Sequence, residues 1–548
     1  MTLIRTQSAW SFALALAVDP QLWGSDLSAN VVEPDDELHT PEKQTRAIEH
    51  DGNAWSKRGV LNLGFLIFLC LGIMALFIGY PVAHSLLSTP LSTEGAFNIG
   101  GLNASGQVPA IGNWGLIDLE TPEEAKTLPS WKDPSQTMEL VFSDEFNTPG
   151  RTFYPGDDPY WEAVDLHYWE TNNLEWYSPQ AVTTANGSLV ITLSEKNNHD
   201  LNFQGGPNKF CFTGGYVETS LVIPGANNVL GLWPAVWYPL LTILTGNLGR
   251  AGYGATLEGT WPYTYDACDV GTVANQTVNG QPEAATVNGD AGKGGVLSYL
   301  PGQKLSRCTC AGEDHPGPKH SDGTFVGRSA PEIDVLEAQI DQNTFVPEVS
   351  QSAQWAPFNE AYIWNNNSDN MILADPSISK LNGFMGNVEQ QATSVVTATN
   401  SSCYEDDGGC FQTYGFEYKP GKEHYITWIS SGKISWGLNV AGLGADNNVQ
   451  ISARPVPQEP MYLLANLGMS TNFGPVDLNH LQFPVHLTID YIRVYQPSNA
   501  KNIGCDPADF PTEDYINKHL EAYSNPNLTT WRGDYGQPFP KNSFLGEC

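Results

Sequence analysis

An antiparallel β-sandwich with long loops, preceded by one apolar helix, is the fold class this sequence predicts. Three observations lead there. Short runs that alternate polar and apolar residues recur between Met138 and Tyr495, separated by Gly, Asn and Pro turns. The composition favours turns and flat apolar rings over helical bundles, with 53 Gly, 38 Pro, 16 Trp and 11% aromatic residues in 548. One stretch, Val60 to Tyr80, contains no charge and is long enough for a bilayer core of ~30 Å.

Taken in order, residues 1–58 are acidic with little apolar periodicity, which predicts a disordered cytosolic tail. The apolar run Ala9–Val18 after Arg5 looks like a short signal-peptide core. Cleavage there would strand the later cysteines and sequons in the cytosol, so it is not read as one. Residues 59–82 are the expected transmembrane signal anchor. Lys57 and Arg58 stand before it and no Lys or Arg follows until Lys126, which puts the N-terminus in the cytosol and the remainder in the lumen or outside. A single-pass type II protein of the secretory-pathway membrane, between endoplasmic reticulum, Golgi and plasma membrane, is the expected location. Eight cysteines (Cys211, Cys268, Cys308, Cys310, Cys403, Cys410, Cys505, Cys548) follow the span, an even number suited to disulfides whose pairing stays open. The sequons at Asn103, Asn186, Asn275, Asn366, Asn400 and Asn527 follow it too, so glycosylation is expected.

Residues 83–137, rich in Gly, Ser, Pro and Thr, predict a lumenal stem. The β domain is expected over 138–497, with strands at Glu139–Phe142, Ser188–Leu193, Gly215–Val222, Tyr425–Ile429, Met461–Asn466 and Leu487–Tyr495. Residues 498–548 form a polar extension, with Cys505 and Cys548 expected to clamp it to the domain.

A net charge of −34 excludes nucleic acid as a partner, because phosphate backbones require basic patches. No GxxxxGK phosphate loop is present, which removes nucleotide-driven chemistry. Abundant aromatics without basic clusters fit a carbohydrate, whose C–H faces stack on rings.

The chemistry concentrates in Glu332-Ile333-Asp334-Val335-Leu336-Glu337. Its aliphatic residues favour a strand, so Glu332 and Asp334 share one face while Ile333 and Val335 take the other. Strict alternation would then aim Glu337 into the apolar side, at a cost of several kcal/mol for an unpaired carboxylate. A one-residue β-bulge at Val335-Leu336 brings Glu337 back to the acidic face. Two glutamates with an aspartate between them are what a retaining glycosidase uses, at a carboxyl spacing of ~5–5.5 Å.

Several motifs fall in one order with this strand. They are Phe142–Asn147 (FSDEFN), Gly214–Thr219 (GGYVET), Leu232–Trp237 (LWPAVW), Pro460–Leu463 and Ile489–Tyr495 (IDYIRVY). The series resembles glycoside hydrolase family 16, a β-jelly-roll family with the concanavalin A-like sandwich. Gly246–Ala255 (GNLGRAGYGA), Trp261–Asp269 (WPYTYDACD), Ser306–Cys310 (SRCTC) and Tyr535–Gly546 (YGQPFPKNSFLG) resemble one branch closely. That branch is the fungal β-glucan synthesis-associated proteins, the SKN1 and killer-toxin-resistance group, over roughly residues 60–548. The resemblance implies Glu332 as nucleophile, Glu337 as acid/base, and Asp334 as the group that positions and tunes the nucleophile. It implies Trp233, Trp237, Trp176 and Tyr177 as substrate-binding aromatics lining the cleft. Asp490 aligns with a residue that helps hold a structural calcium in some members, and no other cofactor is expected. The interval from Trp237 to Glu332 is much longer than in ordinary members and is expected to form a lid or wall. Tyr238–Thr245 is an apolar run that the branch usually lacks: an extension of that wall or a retained intron. The implied function is a membrane-anchored retaining β-glucan glycosidase or transglycosylase in cell-wall β-1,6-glucan biosynthesis. The competing expectation is a catalytically silent glucan-binding scaffold of a cell-wall synthesis complex.

Overall fold

The computed structural model describes residues 57–79, 115–154, 158–195, 209–236, 247–422 and 424–548. Trp237, the run Tyr238–Thr245, Asn103 and most of the expected tail and stem lie outside the described residues. The chain divides into two units, Met1–Thr89 and Pro90–Cys548.

In the first unit an α-helix runs over Lys57–Met74 and ends in a π-helical turn, Ala75–Gly79. Its apolar side chains are bare, with Leu61 and Phe68 more than 70% exposed. Eighteen α-helical residues rise only about 27 Å. Among the described residues no helix is long and apolar enough to cross a membrane. The span expected over 59–82 is thus not established by the fold.

The second unit is built on two large antiparallel sheets. The larger orders its strands Thr127–Pro129, Thr137–Asp144, Val485–Pro497, Gly215–Val222, Gln412–Tyr418, Tyr425–Ser430, Lys433–Asn439 and Met371–Leu373. Ser188–Leu193 also pairs with Val485–Pro497 and carries Val182–Ala185. The smaller orders Ser379–Leu381, Gln390–Ala398, Pro347–Trp355, Leu336–Ile340, Trp233–Val236 and Ala465–Gly468, with Glu332–Ile333 paired to Pro347–Trp355. A late strand, Val485–Pro497, thus lies between two early ones, as a jelly roll requires.

The period of two explains how the sheets stack. Val217, Leu221, Phe416, Ile426, Trp428 and Leu438 from the larger sheet meet Ile333, Ala338, Val349, Ala353 and Val395 from the smaller in one buried core. Trp428 and Trp436 stack within it at 4.1 Å and 4°.

Five of the expected strands agree with those observed to within two residues at each end, and one differs in extent. In the segment expected at Met461–Asn466, the ladder begins only at Ala465. Met461 instead exchanges backbone hydrogen bonds with Phe212, so that run is apolar because its side chains reach the core from a loop. The stem boundary also needs correction. From Leu116 the chain is already packed on the domain, Thr127–Pro129 pairs with Thr137–Asp144, and Trp131 meets Tyr216 edge-on at 6.1 Å. A run rich in turn residues looks like a linker, yet a few buried rings suffice to fasten it.

The disulfides are Cys211–Cys505, Cys268–Cys308, Cys310–Cys548 and Cys403–Cys410. Two of them clamp the C-terminal extension, as expected. That extension packs Tyr515, Ile516, Tyr523 and Trp531 against Leu248, Ala255 and Leu305 of the long interval before Glu332. The interval is tied in from its other end by Arg328. This fully buried guanidinium makes two 2.8 Å hydrogen bonds to the Glu459 carboxylate, and donates to the carbonyls of Gly317 and Pro511. Arg328→Ala leaves Glu459 charged and buried without its partner. The expected loss is about 3–5 kcal/mol, read as a fall in the denaturation midpoint by urea unfolding.

Candidate active site

The register of the smaller sheet locates the bulge. Glu332 stands opposite Gln354 and Glu337 opposite Ser350, so five steps on one strand match four on its partner. The Asp334 N–H donates to the Ser352 carbonyl at 2.7 Å, which places the extra residue between Asp334 and Glu337. Val335 and Leu336 are both fully buried in the core, the signature of two neighbours forced onto one side. Glu332, Asp334 and Glu337 therefore share the face opposite the core, above Gln354, Ser352 and Ser350.

A bulge disrupts ladder bonds, and buried carbonyls need replacements. The core supplies them. The Trp428 indole N–H donates to the Asp334 carbonyl at 2.7 Å, and the Gln351 amide donates to the Val335 carbonyl at 2.8 Å. Gln351 is fixed in turn by the Ser435 hydroxyl at 2.5 Å. A fully buried glutamine on the apolar side of its strand thus has a defined purpose: it holds the kink.

The carboxylates form one buried row. Glu332 and Asp334 have no exposed surface and Glu337 is 8% exposed. Ser352 donates to Asp334 Oδ2 at 2.5 Å and lies 3.5 Å from Glu337 Oε2, while Gln354 donates to Asp334 at 3.1 Å. Trp233 donates from its indole to Glu337 Oε1 at 3.1 Å, and Trp261 donates to Glu332 Oε2. Burial first, and the Asp334 charge second, push both glutamates well above the usual carboxylate range; the indole donors pull the other way. A raised pKa suits Glu337 as a proton donor. It opposes Glu332 as a nucleophile, which needs further donors before it will ionise. Trp233→Phe removes a donor from the Glu337 carboxylate, so the alkaline limb of the activity profile is expected to move to higher pH, measured on oligosaccharide donors.

Part of the long interval, around Thr260 to Tyr263, is bonded to the chain on either side of the carboxylate strand. Ala330 N–H bonds the Thr260 carbonyl, Ala356 N–H bonds the Pro262 carbonyl at 3.1 Å, and Tyr263 bridges Ala356. These stitches flank the Glu332 end of the site, and Trp261 covers the carboxylate there.

The aromatic expectations divide. Trp233 is only 5% exposed and stacks on Phe473 at 4.3 Å, so it holds Glu337 and offers no open face to a sugar. Tyr177 accepts from Asn466 at 3.1 Å, and Asn466 lies in the same cross-strand row as Ala235 and Glu337. Trp176 points to Asp165 at 2.7 Å. Trp176 and Tyr177 line a mostly apolar cavity of about 160 Å³ that none of the three carboxylates reaches. Sequence reasoning missed Trp261, Ser352 and Gln354 as partners of the carboxylates. The alternating polar positions Ser350, Ser352 and Gln354 were the available signal for two of them; the approach of Trp261, from 71 positions away, left none.

Asp490 stands beside the Glu145–Arg493 pair. Its neighbour Glu145 is taken by Arg493 through hydrogen bonds of 2.9 and 2.7 Å, and that guanidinium would repel a cation. Among the described residues no group of three His, Cys, Asp or Glu side chains is placed to hold a metal.

Over residues 25–548 the chain matches the family model described as β-glucan synthesis-associated protein SKN1/KRE6/Sbg1. It is 41% identical over 531 residues to the β-glucan synthesis-associated protein KRE6 of Saccharomyces cerevisiae, covering 94% of this chain and 69% of that protein. It is 40% identical over 536 residues to SKN1 of Candida albicans, covering 95% and 67%. The chain therefore spans about two thirds of the length of these relatives. Among solved structures, the catalytic domain of an endo-1,3-β-glucanase (laminarinase) from Thermotoga petrophila RKU-1 is similar at 17% identity and a TM-score of 0.36. That match covers 66% of this chain and 100% of that one, a level that adds nothing to the topology above.

Proposed function

Because the chain belongs to the SKN1/KRE6/Sbg1 family of β-glucan synthesis-associated proteins, we propose that it is a retaining glycosidase or transglycosylase acting on β-glucan in cell-wall β-1,6-glucan biosynthesis. The observation that carries the reading is the bulge, which turns Glu337 into the same buried row as Glu332 and Asp334. A Glu332 oxygen attacks the anomeric carbon while Glu337 gives its proton to the departing glycosidic oxygen. The sugar is left esterified to Glu332. Glu337, now a carboxylate, takes a proton from water or from an acceptor hydroxyl, whose oxygen displaces Glu332. Hydrolysis follows in the first case and glycosyl transfer in the second. Asp334, tied to Ser352 and Gln354, holds the row in place and keeps the negative charge from spreading to both glutamates at once. A role in synthesis favours transfer, because hydrolysis undoes the polymer.

The anchor belongs to this proposal. The uncharged run in residues 59–82, with Lys57 and Arg58 before it, supports a type II protein of the secretory-pathway membrane whose catalytic domain faces the lumen or the cell exterior. β-Glucan is the polysaccharide partner, and a cell-wall synthesis complex is the setting.

A second reading has one observation in its favour. Glu332 has no exposed surface and Trp261 covers it, which suits a glucan-binding scaffold that does no chemistry. Incubating the full-length protein with β-1,3- and β-1,6-linked glucotetraoses, with products followed by mass spectrometry, separates the two. Longer products indicate transfer and shorter ones hydrolysis. Unchanged tetraose bound tightly by the protein establishes the scaffold.

A further inference from the structure

We propose that the apolar cavity lined by Trp176 and Tyr177 is a binding site for a single aliphatic lipid chain. The cavity, about 160 Å³, lies where Ser188–Leu193 of the larger sheet faces the outer strand Ala465–Gly468 of the smaller. Its floor is core, with Phe142, Leu189, Ile191 and Leu467 all buried. Its rim residues Val164, Trp176 and Val182 are only half-buried, so a chain can enter there. Charged and polar side chains also reach the wall, but they satisfy one another. Glu162 pairs with Lys209 at 3.7 Å and with Arg250 at 3.1 Å, and Lys209 also donates to the carbonyls of Asp158 and Trp161. Tyr177 accepts from Asn173 and Asn466, and Asn173 donates to Glu175 as well. Among the described residues, none of the buried side-chain polar atoms that lack a partner belongs to this wall.

An occupant therefore finds no hydrogen-bonding group waiting for it. A retained water needs polar partners and a glucosyl unit needs more of them, so neither suits this wall. An empty void leaves its lining without van der Waals contacts and weakens the fold, and an apolar occupant supplies those contacts. A dry cavity of about 150 Å³ accepts benzene, so one of about 160 Å³ takes roughly six to eight carbons. Among apolar molecules, lipid chains are those a membrane protein meets, and this choice rests on the anchor proposed above. The cavity also touches the sheet of the three carboxylates. Ala465, Asn466 and Leu467 in its wall pair with Trp233–Val236, the strand whose Trp233 holds Glu337, so an occupant braces that strand pair.

The test titrates full-length protein, held in a bile-salt detergent that carries no alkyl chain, with octan-1-ol by calorimetry. Saturable binding is expected, with a melting temperature about 2–4 °C higher at a hundredfold excess over Kd. Val182→Phe and Ala163→Phe each add a ring to the lining and should weaken octanol binding at least tenfold. No saturable binding by the wild type overturns the proposal. So does undiminished binding by both folded variants, or binding of indole in preference to octanol. In vesicles of phosphatidylcholine brominated on its acyl chains, tryptophan quenching that Val182→Phe reduces assigns the chain to the bilayer. Equal quenching in the two proteins assigns it to a free lipid. Protein that binds octanol yet does not float with vesicles removes the anchor and leaves the site.

Discussion

Glu332→Gln and Glu337→Gln are each expected to lower glycosyl transfer by about a thousandfold or more while leaving the fold intact. Glutamine keeps the shape and removes the function. At position 332 it cannot form the ester, and at 337 it has no proton of suitable acidity to give. Each also keeps an oxygen for its indole donor, so Trp261 and Trp233 retain partners. The same variants should gain stability. Burial raises both carboxyls, so in the folded protein they hold protons to higher pH than in the unfolded chain. The folded state therefore binds more protons as pH rises past the ordinary carboxylate value, and stability falls over that range. Their favourable contribution is complete below that value and is lost on the way to the raised one. A neutral glutamine has nothing to lose. Glu332→Gln should melt above wild type at pH 7 to 8, by about 2–4 °C, with the gap closing toward pH 4. Full activity in both variants sinks the catalytic assignment. A melting temperature below wild type at neutral pH shows instead that Glu332 is held charged by partners that glutamine cannot replace.

Deleting Val335 is expected to remove the kink, leave the three acids on one face, and weaken the core beneath them. Glu337 then lies four steps from Glu332, the same count that separates Ser350 from Gln354 on the paired strand, so strict alternation alone keeps both glutamates together. The loss falls on the other side: a fully buried valine is gone, and the Gln351 amide loses the Val335 carbonyl that it holds. The expected cost is about 2–5 kcal/mol, read as a fall in melting temperature by circular dichroism. A deletion variant that melts like wild type shows that Gln351 and the buried valine contribute nothing through the kink.

How far the site was legible depends on how local each feature is. The kink was readable because Ile333, Val335 and Leu336 alternate against three acids within six positions, and only one geometry keeps all three out of the core. The clamp on the extension was readable because cysteines beyond the last strand have few other uses. The stem was misjudged over 115–137, since Leu116, Leu128 and Trp131 carry no period and find their surface only once the larger sheet exists. Trp233 matches a cleft-lining position by resemblance alone, and a tryptophan in a strand gives no sign of what lies over it. Phe473, far along the chain, covers its face.

By itself the sequence determined which residues share a face, because side-chain direction in a strand follows from counting neighbours two apart. It determined the family for the same reason, through motifs that are contiguous. Only the tertiary structure decided what surrounds those faces. Trp261 donates to Glu332, Trp428 and Gln351 cap the kink from beneath, and Ser352 and Gln354 reach Asp334 from the paired strand. These partners come from strands and loops far apart in the chain. Their positions are set by the register between strands and the stacking of two sheets, and no count along one segment contains either.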